Sequence, residues 1–386
     1  MKKNLAILGS TGSIGKSLIE IIKKDKKKFN IILLSANKNY KDILKQAKIF
    51  NVGNLIITDK DSFLKLKKKK IGKTKIFNNY ESFNIIFKKK IDYVLSSISG
   101  VDGLEPTVKI IKHTKKIAIA NKEAIICGWH LIRKNLAKYK TTFIPVDSEH
   151  FSIFYSIYNK KNFNIEKIYL TASGGPFNNV PKKKLRTVKI SQALNHPNWK
   201  MGKKISIDSA TMMNKVFEII EAKKIFNLRY QLLDILVHPS SYVHAIIKFN
   251  DGMIKIVAHD TSMIIPIFNS LYSDQLKKIK TEKLNLKKLN NLNLNEVDKN
   301  KFPSIKIIKM LKNKDNLLET VIVLANDILV DHFLLKKINF TDIVNLLLKL
   351  INMKKFKNYN KKKPGSINSI IVLKNEIKKS INEMIK

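Results

Sequence analysis

Short apolar runs alternate with amphipathic stretches through the first 146 residues, at 5–9, 31–36, 55–58, 93–98, 117–120 and 143–146. Each run is long enough for one buried strand, and most intervals between them carry helical spacing. Strands separated by helices pair in parallel, because a parallel connection has to cross a whole sheet face. The pattern therefore predicts an α/β fold with an N-terminal Rossmann-like doubly wound parallel sheet over residues 1–146.

The pattern changes at 147. Helical stretches, strand-like runs at 167–172, 235–238 and 254–258, and loops rich in Gly, Pro, Ser and Asn predict a central α+β domain over 147–273. Residues 274–302 are a Lys, Asn and Leu stretch expected to be a surface linker. From 303 to 386 apolar residues recur at helical spacing (305–311, 317–335, 343–351, 367–385), which predicts a C-terminal helical bundle.

Charge has to be weighed before function. The net charge is +44, which taken alone suggests nucleic acid or an anionic membrane. All basic residues except Arg133, Arg186 and Arg229 are lysines, and they are scattered along the chain. Specific nucleic-acid sites favour the planar fork of arginine, so a solvated lysine surface is expected, with no nucleic acid as partner. No stretch of about 18 uncharged apolar residues predicts a membrane-spanning helix. The apolar run at the start is too short for a secretory signal, and the single cysteine, Cys127, allows no internal disulfide. Both fit a cytoplasmic protein.

Gly9-Ser10-Thr11-Gly12-Ser13-Ile14-Gly15 follows the first strand and opens the first helix. Glycines there let the turn close and the backbone approach a pyrophosphate seated on free N–H groups at the helix start. A purely structural glycine turn is the other reading. After the second strand comes Ala36-Asn37-Lys38-Asn39, with no acid to hold a ribose 2′-hydroxyl. Lys38 can meet a 2′-phosphate, which favours NADP over NAD.

Acids are scarce in this chain, so their clustering is informative. In Val146-Asp147-Ser148-Glu149-His150, Asp147 and Glu149 are spaced to share a face in extended chain, while Glu218 and Glu221 share a helix face. Carboxylates without a His/Cys cluster suit Mg²⁺ or Mn²⁺. A helix cap for Asp147 and an ion pair of Glu218 with Lys215 are equally open. Ser173-Gly174-Gly175 can form an anion nest, and Ser209, Asn214 and Lys215 offer hydroxyl, amide and ammonium donors suited to a phosphate monoester, with a turn and an ordinary capped helix equally open. His196-Pro197-Asn198-Trp199-Lys200-Met201-Gly202 reads either as a mobile lid that lays Trp199 over a ligand or as a surface turn with one buried aromatic.

Taken in order, these strings, together with Ala120-Asn121-Lys122-Glu123 and His238-Pro239-Ser240-Ser241-Tyr242-Val243-His244, resemble the 1-deoxy-D-xylulose 5-phosphate reductoisomerase family over nearly the whole chain. The resemblance implies rearrangement and NADPH-dependent reduction of that sugar phosphate to 2-C-methyl-D-erythritol 4-phosphate, with Mn²⁺ or Mg²⁺, in isoprenoid biosynthesis by a homodimer. It implies that Asp147, Glu149 and Glu218 bind the metal. Ser173, Ser209, Asn214 and Lys215, helped by His196, would hold the phosphate. Lys122 and Ser148 would contact the substrate's hydroxyls and carbonyl. Thr11, Gly12, Ser13, Ile14, Ala36, Asn37, Lys38, Asn39, Asn121, Glu123 and Gly202 would line the NADPH site. Trp199 and Met201 would cover substrate and nicotinamide, with His244 at the site's edge.

The chain departs from the family pattern at Asn37, at Asn326-Asp327, and at Ala258-His259-Asp260-Thr261-Ser262-Met263, where Gly-x-Pro-Asp-Met is usual.

Overall fold

The structure, a computed structural model, describes residues 2–69, 72–157, 164–275 and 277–385. The chain divides into two compact units. The first comprises Met1–Ile125, His130–Asp147 and Met263–Ile279; the second comprises Ile126–Trp129, Ser148–Ser262 and Lys280–Lys386.

The first unit holds β1 (Lys3–Leu8), β2 (Phe29–Ala36), β3 (Asn54–Ile57), β4 (Lys75–Phe77), β5 (Ile91–Ser96), β6 (Thr114–Ile119) and β7 (Thr142–Pro145). They form one parallel sheet in the order β4-β3-β2-β1-β5-β6-β7. Leu5, Ala6, Ile7 and Leu8 are all fully buried, which is why β1 reads as an unbroken apolar run: a central parallel strand has both faces covered. The doubly wound expectation holds. Sequence reading missed β4, whose three residues are too few and too polar at Lys75 to show a period.

The second unit holds β8 (Ile165–Ala172), β9 (Leu233–Val237), β10 (Val243–Phe249), β11 (Ile254–Ala258) and β12 (Asn295–Glu296), in the order β11-β10-β8-β9-β12. The helices Ser148–Ile157 and Met213–Phe226 both pack on this sheet and on each other. The C-terminal helices Leu318–Leu334, Phe340–Asn352 and Ile367–Ile385 are present as expected.

Three boundaries differ from expectation. Residues 263–273 belong to the first unit, because Ile267, Leu271 and Tyr272 fill its core and Ser270 Oγ lies 2.7 Å from the Tyr93 hydroxyl. The 274–302 stretch is not bare linker: it carries the short helix Leu286–Asn290 and β12, which pairs with β9. Finally, the C-terminal helices form no separate unit. Glu319 accepts from the Tyr230 hydroxyl at 2.6 Å and pairs with Lys224, and Ser304 Oγ donates to the Thr211 carbonyl at 2.6 Å. The apolar spacing at 305–311 forms a 3₁₀ helix, Pro303–Met310.

Candidate active site

The strand order reverses direction of winding between β1 and β5, and ligands of such sheets bind outside the strand ends at that switch point. Gly9 ends β1 there with φ +80°, and a Cβ on it would lie 2.8 Å from the Ser97 carbonyl oxygen beyond β5. A Cβ on Gly15 would lie 2.6 Å from Ser10 Cα, so only glycine lets the helix Ser13–Lys24 begin so close to the strand. That helix has Gly12 as its N-cap, with no side-chain cap and no acid in its first turn. Gly12 N–H donates to the Gly9 carbonyl at 3.1 Å, while no side chain caps the first-turn N–H groups of Ser13 and Ile14, the arrangement that accepts an anionic pyrophosphate. The Ser10 hydroxyl, buried beside them, has no hydrogen-bond partner.

Ala36 is buried at the end of β2, and Asn37, Lys38 and Asn39 are exposed after it. Asn37 donates to Thr58 Oγ1 at 2.9 Å, while Asn39 caps the next helix by accepting from Asp42 N–H at 3.1 Å. Asn121 is buried and caps the helix Lys122–Tyr139, accepting from Ala124 N–H at 2.8 Å. Its amide donates to the carbonyls of Ile98 and Gly100, so it fixes the loop after β5. Glu123 and Lys122 are buried in the first turn of the same helix. Lys122 Nζ pairs with Asp147 at 3.0 Å, and Asp147 ends the first unit one residue before Ser148.

In the second unit the buried ammonium of Lys215 lies 2.5 Å from Glu149 Oε1, pairs with Glu218 Oε2, and donates to the Thr171 carbonyl at 2.6 Å. Burial alone would lower the lysine's pKa; the two glutamates outweigh it and raise the pKa above the usual value. Ser148 Oγ donates to the other Glu149 oxygen at 2.5 Å, and the Asn214 amide donates to Glu218. Behind them the buried His150 Nε2–H donates to the Glu218 carbonyl at 2.9 Å, and its Nδ1 lies 3.5 Å from Glu221. Glu221, which shares a helix face with Glu218, thus lies beside a histidine that sequence reading gave no role.

Ser173 follows β8, where Gly174 (φ +79°) and Gly175 (φ +65°) turn the chain. A Cβ on Gly175 would lie 2.8 Å from the Ser209 carbonyl oxygen, so glycine brings the Ser173 loop against the end of the helix Lys203–Ala210. Gly202 is the exposed N-cap of that helix. Asp208 beside Ser209 is buried, held by Lys204 at 3.0 Å and by the Asn326 amide at 2.6 Å. Nothing in local sequence links 208 to 326.

His196 is a hub. Its Nδ1 accepts from the N–H groups of Asn198 (3.1 Å) and Trp199 (3.0 Å), so the ring proton resides on Nε2 and is donated to Ser173 Oγ at 2.9 Å. Ser173 Oγ also accepts from Gly175 N–H at 3.0 Å, which leaves the serine's own proton to donate outward. Burial, then the charge of Lys215, pushes the histidine down from 6.5 to about 4, so it is neutral near pH 7. Trp199 and Met201 are half-buried, and Trp199 meets the His244 ring edge-on with centroids 6.3 Å apart.

A glycine turn at a switch point and carboxylates gathered on a buried lysine beside hydroxyl donors define a Rossmann-like oxidoreductase acting on an anionic substrate. Models of the 1-deoxy-D-xylulose 5-phosphate reductoisomerase family match residues 5–128, 143–226 and 260–380. A reductoisomerase of that name from Pelagibacter ubique is 58% identical over 385 residues, covering 99% of both chains. The reductoisomerase of Zymomonas mobilis, solved in complex with NADPH, shares 30% identity at a TM-score of 0.88 over the full length of both chains. A reductoisomerase solved with NADPH, fosmidomycin and magnesium shares 30% identity at a TM-score of 0.91, covering 99% of this chain and 98% of that one. The chain belongs to the 1-deoxy-D-xylulose 5-phosphate reductoisomerase family, so the resemblance carried by its sequence strings is borne out.

Proposed function

We propose that this chain rearranges 1-deoxy-D-xylulose 5-phosphate and reduces the product to 2-C-methyl-D-erythritol 4-phosphate, using NADPH and a divalent metal. The observation that carries the residue assignment is the convergence of Glu149 and Glu218 on one cationic centre, the ammonium of Lys215. A donor set of carboxylate oxygens able to gather around a cation fits Mg²⁺ or Mn²⁺, and Asp147 adds a third carboxylate one residue from Ser148. The uncapped helix start after Gly9 and the exposed Lys38 fit the phosphates of NADPH.

When bound, the metal supplies Lewis acidity at the substrate's ketone and hydroxyl oxygens, and NADPH supplies hydride. The protein's own groups orient and neutralise. The Ser173 hydroxyl, with its acceptor sites filled, donates to the phosphate, joined by Ser209, Asn214 and Lys215. His196, whose nitrogens are both engaged within the protein, holds Ser173 and the turn at Trp199 in register. Lys122 and Ser148 contact the substrate's oxygens, Trp199 and Met201 exclude water from the reacting carbons, and Asn121, Glu123 and Gly202 line the cofactor site.

A homodimer is supported by β11, an edge strand that exposes Ile254 and Ile256 on one face beside exposed Met253. Apolar residues on an open edge suit pairing with a second copy, and Ile256→Lys should shift sedimentation toward the monomer. A cytoplasmic setting is supported by the chain's single cysteine, the buried Cys127, which allows no internal disulfide. Among the described residues no helix is long and apolar enough to cross a membrane.

The test is oxidation of NADPH with 1-deoxy-D-xylulose 5-phosphate in Mg²⁺ or Mn²⁺, then in EDTA. Oxidation that EDTA stops and either metal restores is expected. Oxidation unaffected by EDTA would remove the metal assignment.

A further inference from the structure

The loop after β11 begins His259-Asp260-Thr261-Ser262, within one of the three stretches in which the sequence leaves the family pattern. His259 lies flat against His244, with ring centroids 3.7 Å apart and planes 16° from parallel. Each ring is locked by a carbonyl, which can only accept. His244 Nε2–H donates to the His259 carbonyl at 3.2 Å, and His259 Nδ1–H donates to the Asp260 carbonyl at 2.8 Å. Burial keeps both imidazoles on the neutral side of their ordinary titration, as face-to-face packing requires.

Trp199 meets the outer part of this stack edge-on, at 72° to His244. Backbone staples run the same way. His259 N–H donates to the Tyr242 carbonyl at 3.1 Å, and Thr261 Oγ1 donates to the Ser241 carbonyl at 3.1 Å. Asn198, next to Trp199, donates to the Pro239 carbonyl at 2.6 Å and to Ser241 Oγ at 2.9 Å. The 259–262 loop, the 239–244 turn and the 196–199 turn are thus tied in series.

We propose that His259 is a positioning residue for Trp199: stacked behind His244, it fixes the ring on which the indole edge rests, and so sets the place of the indole over the substrate. This rests on the reading of Trp199 as the residue that covers the substrate. The chain has two tryptophans, so a Trp129→Phe background leaves Trp199 as the sole indole, excited selectively at the red edge of the tyrosine absorption. In that background His259→Ala should shift Trp199 emission and increase its quenching by acrylamide. It should also raise KM for the sugar phosphate about two- to tenfold, the range one aromatic pair contributes, with kcat nearly unchanged. His259→Phe, which keeps a flat ring, should restore emission, quenching and KM together.

Unchanged emission and quenching in a folded His259→Ala protein overturn the proposal, as does failure of His259→Phe to rescue. If Trp129→Phe does not fold, spectra with and without Trp199→Phe give the same signal by difference. A changed indole signal in a chain that does not turn over the sugar phosphate supports the positioning role and removes the functional reading instead.

Discussion

Lys215 Nζ and Glu149 Oε1 lie 2.5 Å apart although 66 residues separate them in sequence. Lys215 also pairs with Glu218 three positions along its own helix, so the local ion pair open from sequence is present and forms half of a larger cluster. The ion-pair reading is thus present in the structure, and the proposed metal reading draws on the same two carboxylates.

Glu218 is buried, and Glu218→Gln removes charge while keeping shape. Turnover should fall by about 10²-fold or more, as when a group stabilising transition-state charge is removed. NADPH binding, followed by fluorescence titration, should survive. Loss of NADPH binding together with turnover would count against a metal role.

Gly9→Ala places a Cβ against the Ser97 carbonyl at a positive φ. It should cost about 1–3 kcal/mol in urea unfolding and abolish NADPH binding. Gly12→Ala meets only Gly9 O at 3.4 Å, so its Tm should hardly move while KM for NADPH rises. Equal effects of the two variants on both readouts would contradict separate structural and cofactor roles.

His196 predicts a pH slope. An unfolded histidine takes a proton as pH falls through 6.5, whereas the folded ring stays neutral until about 4. In that window the unfolded state binds more protons, so this contribution to stability is complete above pH 6.5 and is lost as pH falls toward 4. His113, also pushed down to about 4 by burial and Lys112, acts in the same direction. Tm measured from pH 7 to 5 should therefore fall, and His196→Gln should fall less steeply; an unchanged slope would reject the assignment.

Asp208→Ala removes the acceptor shared by Lys204 and Asn326 in a buried place. Unfolding in urea should show a loss of about 3 kcal/mol, the low end for breaking a buried pair because Lys204 is partly exposed. KM for the sugar phosphate should rise as Ser209 loses its support. A loss under about 1 kcal/mol would place Asp208 among surface ion pairs.

Much of this was legible locally. β1, β2, β5 and β6 are central strands covered on both faces, so their apolar runs stand out without any knowledge of neighbours. The glycine turn is legible because close approach forbids a Cβ at Gly9 and Gly15. The strings around Asp147, Ser173, His196 and Lys215 carried the family.

Other features had no local signal. β4 and β12 are strands only because β3 and β9 lie beside them. The helix Ile264–Leu271 reads as a continuation of the central region, yet its apolar face fills the first unit's core. The capping of the Lys122 helix by Asn121, the bond of His196 to Ser173, the clamp of Asn326 on Asp208 and the stack of His259 on His244 all join residues by geometry.

The sequence by itself determined the elements and their class, because hydrophobic period and turn chemistry act over a few residues. Tertiary structure alone decided which charges meet, which histidine nitrogen carries the proton and where each unit ends. Those depend on distances between groups far apart in the chain, and such distances exist only once the chain has folded.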